Sequence, residues 1–174
     1  MKAVVPLISC DEAQIFLSKK LFFKKKIVHA ELIYIPGYMF SVSCSHIKKN
    51  HLNVFVDSII GEFALLSSKN QFFDYIIQKE KILREIPIDQ AREIAVNEMK
   101  RMFLWRSLKT KKKIPMDIIT DSDFLMYPYW IGYFKKKEKI DFQAIDAVSG
   151  KEQGAKMKPL FIQYLISENK ANRL

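Results

Sequence analysis

The feature that most constrains the fold is a pattern that occurs twice along the chain. Residues 34–38 read YIPGY and residues 127–133 read YPYWIGY, so each is an aromatic strand that contains a proline. Each leads to a second strand that ends in Asp-x-x-x-Gly, at 57–61 and at 146–150, a separation of 89 residues. The same separation relates the pairs Gly61 and Gly150, Phe72 and Phe161, Tyr75 and Tyr164, and Ile77 and Ile166. These matches indicate an internal duplication.

The hydrophobic periodicity predicts the same element order in both halves. In the first half it predicts a helix over about 11–25, strands over about 31–44, 52–56 and 62–66, and a helix over about 69–84. In the second half it predicts a helix from Asp89, strands over about 124–134 and 139–145, and a helix from about Pro159. The opening helices match at a shorter separation of 78 residues, from Ala13 to Ala91.

This order predicts an α+β fold of two tandem α-β-β-β-α repeats, at 1–84 and 85–174, with antiparallel sheets packed against helices. The repeats could pair edge to edge in one larger sheet or pack face to face, and the sequence leaves both arrangements open.

Short local signals refine this prediction. Ser9 with Glu12 fits a capping box, and Asp89 fits an N-cap. Pro36-Gly37 predicts a bulge or an edge position, because proline cannot donate to a strand ladder. Residues 47–50 read as a hairpin turn, and Gly61 ends a turn in which glycine can take a positive φ.

The charge of the chain favours anionic partners. The 174 residues carry a formal net charge of +10, with 49% apolar residues, which suits a globular domain. Nucleic acid, acidic proteins and an anionic membrane surface all fit that charge, as does a lysine-rich solvated surface without a partner.

No apolar run is long enough to cross a membrane. Residues 7–10 resemble a lipobox, but the stretch before Cys10 is too short for a signal peptide. A cytoplasmic location is therefore expected, with an envelope location left open if a signal or anchor is missing from the sequence.

The ends of the second repeat resemble the PepSY family. Residues 86–95 read IPIDQAREIA, similar to the opening helix of PepSY domains, and residues 145–150 read IDAVSG, similar to the V-D-A-x-T-G strand end of those domains. Residues 11–13 and 56–61 are fainter versions. The resemblance implies a non-catalytic module that binds or restrains a partner. The chain departs from the family in its basic charge, its Tyr-Pro-Tyr-Trp strand and the lack of a clear signal sequence.

The sequence predicts neither a catalytic nor a metal site. Cys44, His46 and His51 could supply three zinc ligands, but no fourth ligand is evident, and no metal or cofactor is expected. No nucleophile lies in a recognisable motif beside a base. Asp57 and Asp146 are better explained as turn residues that accept hydrogen bonds from the local backbone than as an acid pair.

The candidate binding residues are aromatic side chains of one strand and lysines of two loops. They are Tyr129, Trp130, Lys111, Lys112, Lys136 and Lys137. Large residues on both faces of the aromatic strand are typical of a strand covered on both sides, and the alternative is a platform on which bases or a peptide stack. The chain is therefore predicted to be a non-enzymatic module that binds a protein partner. The alternative is a nucleic-acid-binding protein that uses the lysine loops and the aromatic strand.

Overall fold

A computed structural model describes residues 1–19, 27–43, 51–66, 71–76, 83–110, 118–136 and 139–171. The strands in these ranges are β1 (Lys2–Val4), β2 (Ile27–Ser43), β3 (His51–Asp57), β4 (Phe63–Leu66), β5 (Phe72–Asp74), β6 (Ile118–Lys136) and β7 (Lys139–Asp146). The helices are α1 (Cys10–Lys19), α2 (Ile88–Thr110) and α3 (Lys158–Ala171), the last preceded by a 3₁₀ turn at Ala155–Met157. The α+β prediction is confirmed, but the prediction of purely antiparallel sheets is wrong, because β1 pairs parallel to β6.

All these strands belong to one mixed sheet. Its order is β4-β3-β2-β6-β1-β5, and β7 also pairs with β6. Because β2 occupies one edge of β6, the strands β7 and β1 share the other edge, with β7 along its C-terminal half and β1 beside Leu125 and Met126. Strands from both halves of the chain therefore lie side by side in a single sheet.

The two longest strands, β2 and β6, form the antiparallel centre of the sheet, and Ile35 lies opposite Tyr127. The prediction of a bulge or edge at Pro36 is wrong, because Pro36 stays in register with Met126 inside the sheet. The Pro36 carbonyl accepts a hydrogen bond of 2.9 Å from the backbone N–H of Ser58. The nitrogen of Pro36 points toward β3 as well, but the paired residues of β2 and β3 begin at Gly37 and Asp57. The missing N–H of Pro36 therefore removes no hydrogen bond from the pairing of these two strands.

The helices divide between the two faces of the sheet. Side chains alternate along a strand, so even and odd positions of β2 face opposite sides. On one face, α2 packs on Tyr38, Phe40 and Val42, while α1 packs on Trp130 and Ile145. On the other face, Leu160 and Phe161 of α3 join the largest core cluster, whose strand residues are Val4, Ile33, Ile35, Phe55, Leu66, Leu125, Tyr127, Tyr129, Ile131 and Ala144.

Two helix starts show how local sequence acts. The backbone N–H and the hydroxyl of Ser9 donate to Glu12 Oε2 at 2.9 and 2.8 Å, which confirms the capping box. These two hydrogen bonds lower the pKa of Glu12. The Asp89 prediction is wrong as an N-cap, because α2 begins at Ile88. Asp89 instead lies in the first turn, where a carboxylate complements the positive end of the helix.

The helix predicted over 69–84 is also wrong within the described residues. Phe72–Asp74 form β5, and residues 83–87 are not helical. The matched residues Phe72 and Phe161 therefore lie in elements of different type, a strand and a helix. The other strands and helices with predicted bounds are present in the described residues, and β6 begins earlier than expected, at Ile118. The third strand of the second repeat is wrong, because the described residues between β7 and α3 contain only an isolated bridge between Ile145 and Glu152. The predicted end of the first helix at residue 25 and the hairpin turn at 47–50 lie outside the described residues.

Candidate partner-binding site

The aromatic residues predicted to bind a partner lie against the core. Tyr129 is buried, with its ring 5.3 Å from Tyr127 and 5.2 Å from Phe161, and burial raises its pKa well above the ordinary value. Trp130 is half-buried under α1, and its Nε1–H donates to the Ile8 carbonyl at 2.8 Å. The contact of these residues with a partner stays a prediction; in this conformation Tyr129 offers almost no surface to one.

Three of the four predicted lysines lie outside the described residues. Lys111, Lys112 and Lys137 lie outside the described residues, and Lys136 is described only as the last residue of β6. Cys44 and His46 also lie outside, and His51 is described only as the first residue of β3. Within the described part of the chain, no group of three or more His, Cys, Asp or Glu side chains could hold a metal ion.

Both repeated aspartates act as the sequence predicted, by holding a turn. The buried Asp57 carboxylate accepts backbone N–H bonds from residues 59 to 62, at 2.5 to 3.3 Å. Burial raises the pKa of Asp57, and these four donors limit the rise. Asp146 accepts N–H bonds from Val148 and Ser149, and its other oxygen accepts the Tyr127 hydroxyl at 3.0 Å. The carboxylates of Asp57 and Asp146 therefore stabilise the turns that follow β3 and β7.

A candidate binding surface that the sequence reasoning missed lies at β5. This strand ends the sheet, because β1 pairs with one of its edges and no described strand pairs with the other. Phe72 and Phe73 are exposed there, and Ile76 is 82% exposed. The run FFDYII at 72–77 is rich in residues that favour strands, a signal that could have indicated a strand instead of a helix.

The hydrogen bonds between β5 and β1 show which backbone groups of β5 point away from the sheet. Val5 N–H donates to the Gln71 carbonyl, and Tyr75 N–H donates to the Met1 carbonyl, so odd positions of this strand face β1. Backbone direction alternates along an antiparallel strand. The N–H and C=O groups of Phe72 and Asp74 therefore point away from the sheet.

The strand is anchored by aromatic packing. Tyr34 on β2 lies 6.1 Å from the ring of Phe73 and 5.0 Å from the ring of Tyr75. Burial raises the pKa of both Tyr34 and Tyr75, so the phenols stay neutral in the native protein. This cluster holds β5 in place, and no described strand pairs with its outer edge.

A shallow cleft of about 250 Å³ opens beside Phe72. Its lining is largely apolar, with one positive and one negative side chain, and consists of Lys2, Met39, Phe72, Asp123, Phe124 and Leu125. The Arg84 guanidinium lies 3.8 Å over the Phe124 ring and supports that wall. An open strand edge next to an apolar cleft is the arrangement with which proteins bind an extended peptide.

Comparison with known proteins identifies no relative of this chain. No protein-family model matches the chain, and no curated protein and no solved structure matches it at a significant level. Among the described helices, none is long and apolar enough to cross a membrane.

Proposed function

We propose that the chain is a non-catalytic binding module that engages a protein partner, and that the partner adds a strand to the open edge of β5. The observation that carries the proposal is this edge, where outward backbone groups lie beside exposed Phe72, Phe73 and Ile76. Natural proteins rarely leave an apolar strand edge uncovered, because it promotes aggregation. A partner strand would satisfy the backbone groups and cover the apolar side chains together.

The other ends of the described sheet fit this role less well. Strand β4 exposes one large apolar side chain, Leu65, and β7 exposes one, Ile140. Among the described strands at the edges of the sheet, β5 is the one with several exposed apolar residues, and a cleft opens beside its Phe72.

We further propose that the module is a tandem duplication of a PepSY-like unit, on the motifs at 86–95 and 145–150. Strand pairing supports the duplication, because Gly37 lies opposite Asp57 in the first hairpin and Tyr129 lies opposite Asp146 in the second. The carbonyls of both strand prolines accept the backbone N–H of the residue after the aspartate.

Side-chain contacts to the helix starts support it too. The Tyr38 hydroxyl donates to the Ile86 carbonyl at 3.2 Å, and the Trp130 Nε1–H donates to the Ile8 carbonyl at 2.8 Å. Tyr38 and Trp130 occupy equivalent positions in β2 and β6, and Ile8 and Ile86 are separated by the same 78 residues as the opening helices.

The duplicated unit would have diverged at its ends. Helix α1 packs on β2 of its own half and on β6 and β7 of the other half, whereas α2 packs on β2, β3 and β4 of the other half. Strand β5 stands where the second half has α3. On this proposal the first half replaced its closing helix with the strand that receives the partner.

The test is affinity purification from the native cell with the full chain as bait, at moderate salt and after nuclease treatment. Asp74→Pro removes one outward N–H of β5, and Asp74→Ala removes the same carboxylate while keeping that N–H. We expect a nuclease-resistant protein partner that Asp74→Ala retains and Asp74→Pro loses.

A side-chain comparison complements the backbone test. Ile76→Glu charges the proposed site, and Ile140→Glu is its matched control, because Ile140 on β7 is 75% exposed. Loss of the partner with Ile76→Glu alone supports the proposal. Equal retention by Asp74→Pro and Asp74→Ala would refute strand addition, and recovery of nucleic acid in place of a protein would favour the alternative function.

A further inference from the structure

The last turns of α2 carry apolar side chains on two opposite sides. Met99 and Phe103 are buried against the sheet. On the other side, Leu104, Trp105 and Leu108 are 62%, 63% and 65% exposed. With 3.6 residues per turn, Leu104 and Leu108 lie one above the other and Trp105 lies beside them, so the three form one surface patch, here called the α2 patch.

The α2 patch lies in a strongly basic segment. Its cations are Lys100, Arg101, Arg106 and Lys109, which are all exposed. Arg101 also bridges to Glu98, at 2.5 Å on the preceding turn. No acidic residue occurs between 99 and 116, and three more lysines follow at 111–113 in the sequence. The exposed α2 patch is therefore bordered by four exposed cations, one of which is paired with Glu98.

The size of the α2 patch argues against a stable protein interface. Three side chains of this kind expose on the order of a few hundred Å². A stable protein–protein interface buries about 800 Å² from each partner. An anionic bilayer needs far less apolar area, because a shallow insertion of apolar side chains and the attraction of cations to lipid headgroups act together.

The side-chain types fit the same occupant. Tryptophan is enriched at the boundary between headgroups and acyl chains, and lysine and arginine can extend their charge to the headgroups while their stems contact apolar surface. We propose that the α2 patch binds an anionic lipid surface, with the end of α2 lying parallel to the bilayer. This surface is separate from the partner site, because α2 packs on β2, β3 and β4 while β5 pairs with β1.

The test uses the full chain and two kinds of vesicle, one of phosphatidylcholine alone and one of phosphatidylcholine and phosphatidylglycerol in equal parts. Co-sedimentation measures binding, and tryptophan emission measures insertion. We expect binding to the anionic vesicles only, weakened by added salt, with a shift of the emission to shorter wavelength. Trp105→Phe should abolish the shift, because the remaining Trp130 is fixed under α1.

The apolar contribution is tested with matched double variants. Trp105→Ser with Leu108→Ser should weaken binding to the anionic vesicles by about tenfold or more. Ile140→Ser with Ile166→Ser removes two apolar side chains that are also exposed, on β7 and α3, and should leave binding unchanged. Circular dichroism should be the same for all of these proteins, since every replaced side chain is exposed.

The charge contribution is tested in the same way. Lys100→Gln with Lys109→Gln should weaken binding and reduce its dependence on salt, while Lys139→Gln with Lys151→Gln should change it little. Binding to pure phosphatidylcholine, or equal losses in the control pair, would overturn the proposal. Stronger binding to RNA than to anionic vesicles, unaffected by Trp105→Ser, would overturn it as well and assign the positive charge to nucleic acid.

Discussion

Gly61 ends the first Asp-x-x-x-Gly turn, and the structure predicts that alanine there destabilises the fold. Gly61 has φ +78°, in the left-handed region, where an L side chain crowds its own backbone. A Cβ at this position would lie 2.7 Å from Ile94 Cδ1 and 2.9 Å from Ile86 Cδ1. Those atoms belong to the packing of α2 on the sheet, so the added methyl group must displace two partly or fully buried side chains.

Two other glycines separate the cost of left-handed backbone strain from the cost of displacing neighbouring side chains. Gly150 has φ +69°, but its Cβ would meet nothing closer than 3.4 Å, so Gly150→Ala should cost only the backbone term, about 1–2 kcal/mol. Gly61→Ala must also displace the terminal methyl groups of Ile86 and Ile94, a smaller extra cost, and should cost about 2–3 kcal/mol in total. Gly154 has φ −72° and open space around its Cβ, so Gly154→Ala should be neutral or stabilising by up to about 1 kcal/mol.

Urea unfolding followed by circular dichroism measures these differences in the free energy of unfolding. The expected order of stability is Gly154→Ala, then Gly150→Ala, then Gly61→Ala, at constant slope with denaturant. If Gly61→Ala were no less stable than Gly150→Ala, the packing of Ile86 and Ile94 against this turn would be wrong. If Gly150→Ala matched Gly154→Ala, the left-handed backbone itself would be refuted.

Three further predictions concern buried polar groups. Asp57→Asn should lower the free energy of unfolding by about 1–3 kcal/mol. In the native protein the backbone N–H of Glu62 donates to Asp57 Oδ2, and in the variant the side-chain NH₂ of asparagine would face that N–H and leave it without an acceptor. Urea unfolding at pH 7 tests this. Trp130→Phe should cost about 1–2 kcal/mol through its lost hydrogen bond, whereas Trp105→Phe should stay within about 0.5 kcal/mol, and equal effects would contradict the assigned environments. Burial raises the pKa of Tyr164 from 10.0 to about 12, so the native state retains the phenol proton, and its contribution to stability is complete below pH 10 and lost as the pH rises through 12. Tyr164→Phe should therefore flatten the fall in stability measured between these pH values.

The elements that the sequence predicted well are those governed by neighbouring residues. The capping box at Ser9, the aspartate turn at Asp57 and the strands on either side of that turn all depend on contacts within a few residues. The hydrogen-bonding capacity of serine and aspartate and the freedom of glycine are local properties. Such features are readable because no distant part of the chain decides them.

The elements that it missed are decided by distant contacts. Residues 72–77 fit a helix or a strand by composition, and pairing with β1 at the far end of the sequence selects the strand. Likewise, no local signal indicates that α1 packs on β6 and β7. Nor does one indicate that a central strand tolerates Pro36, which it does because the proline nitrogen lies beyond the last residue pair between β2 and β3. The proposed partner site at β5 was missed for this reason, since an edge strand is identified only once the strand order is known.

The two tryptophans show what the sequence could still have revealed about surfaces. Trp130 lies on a strand with large residues on both faces, and only the position of α1 decides that it is covered. Trp105 lies on a helix whose core face is already complete, with Ala91, Ala95, Met99 and Phe103 at helical spacing. One apolar stripe satisfies the packing of a surface helix, so further large apolar residues on the opposite side have no place in the core. Counting the apolar residues that remain after the core stripe is assigned would have selected Trp105 from sequence alone, because that excess requires no knowledge of tertiary structure.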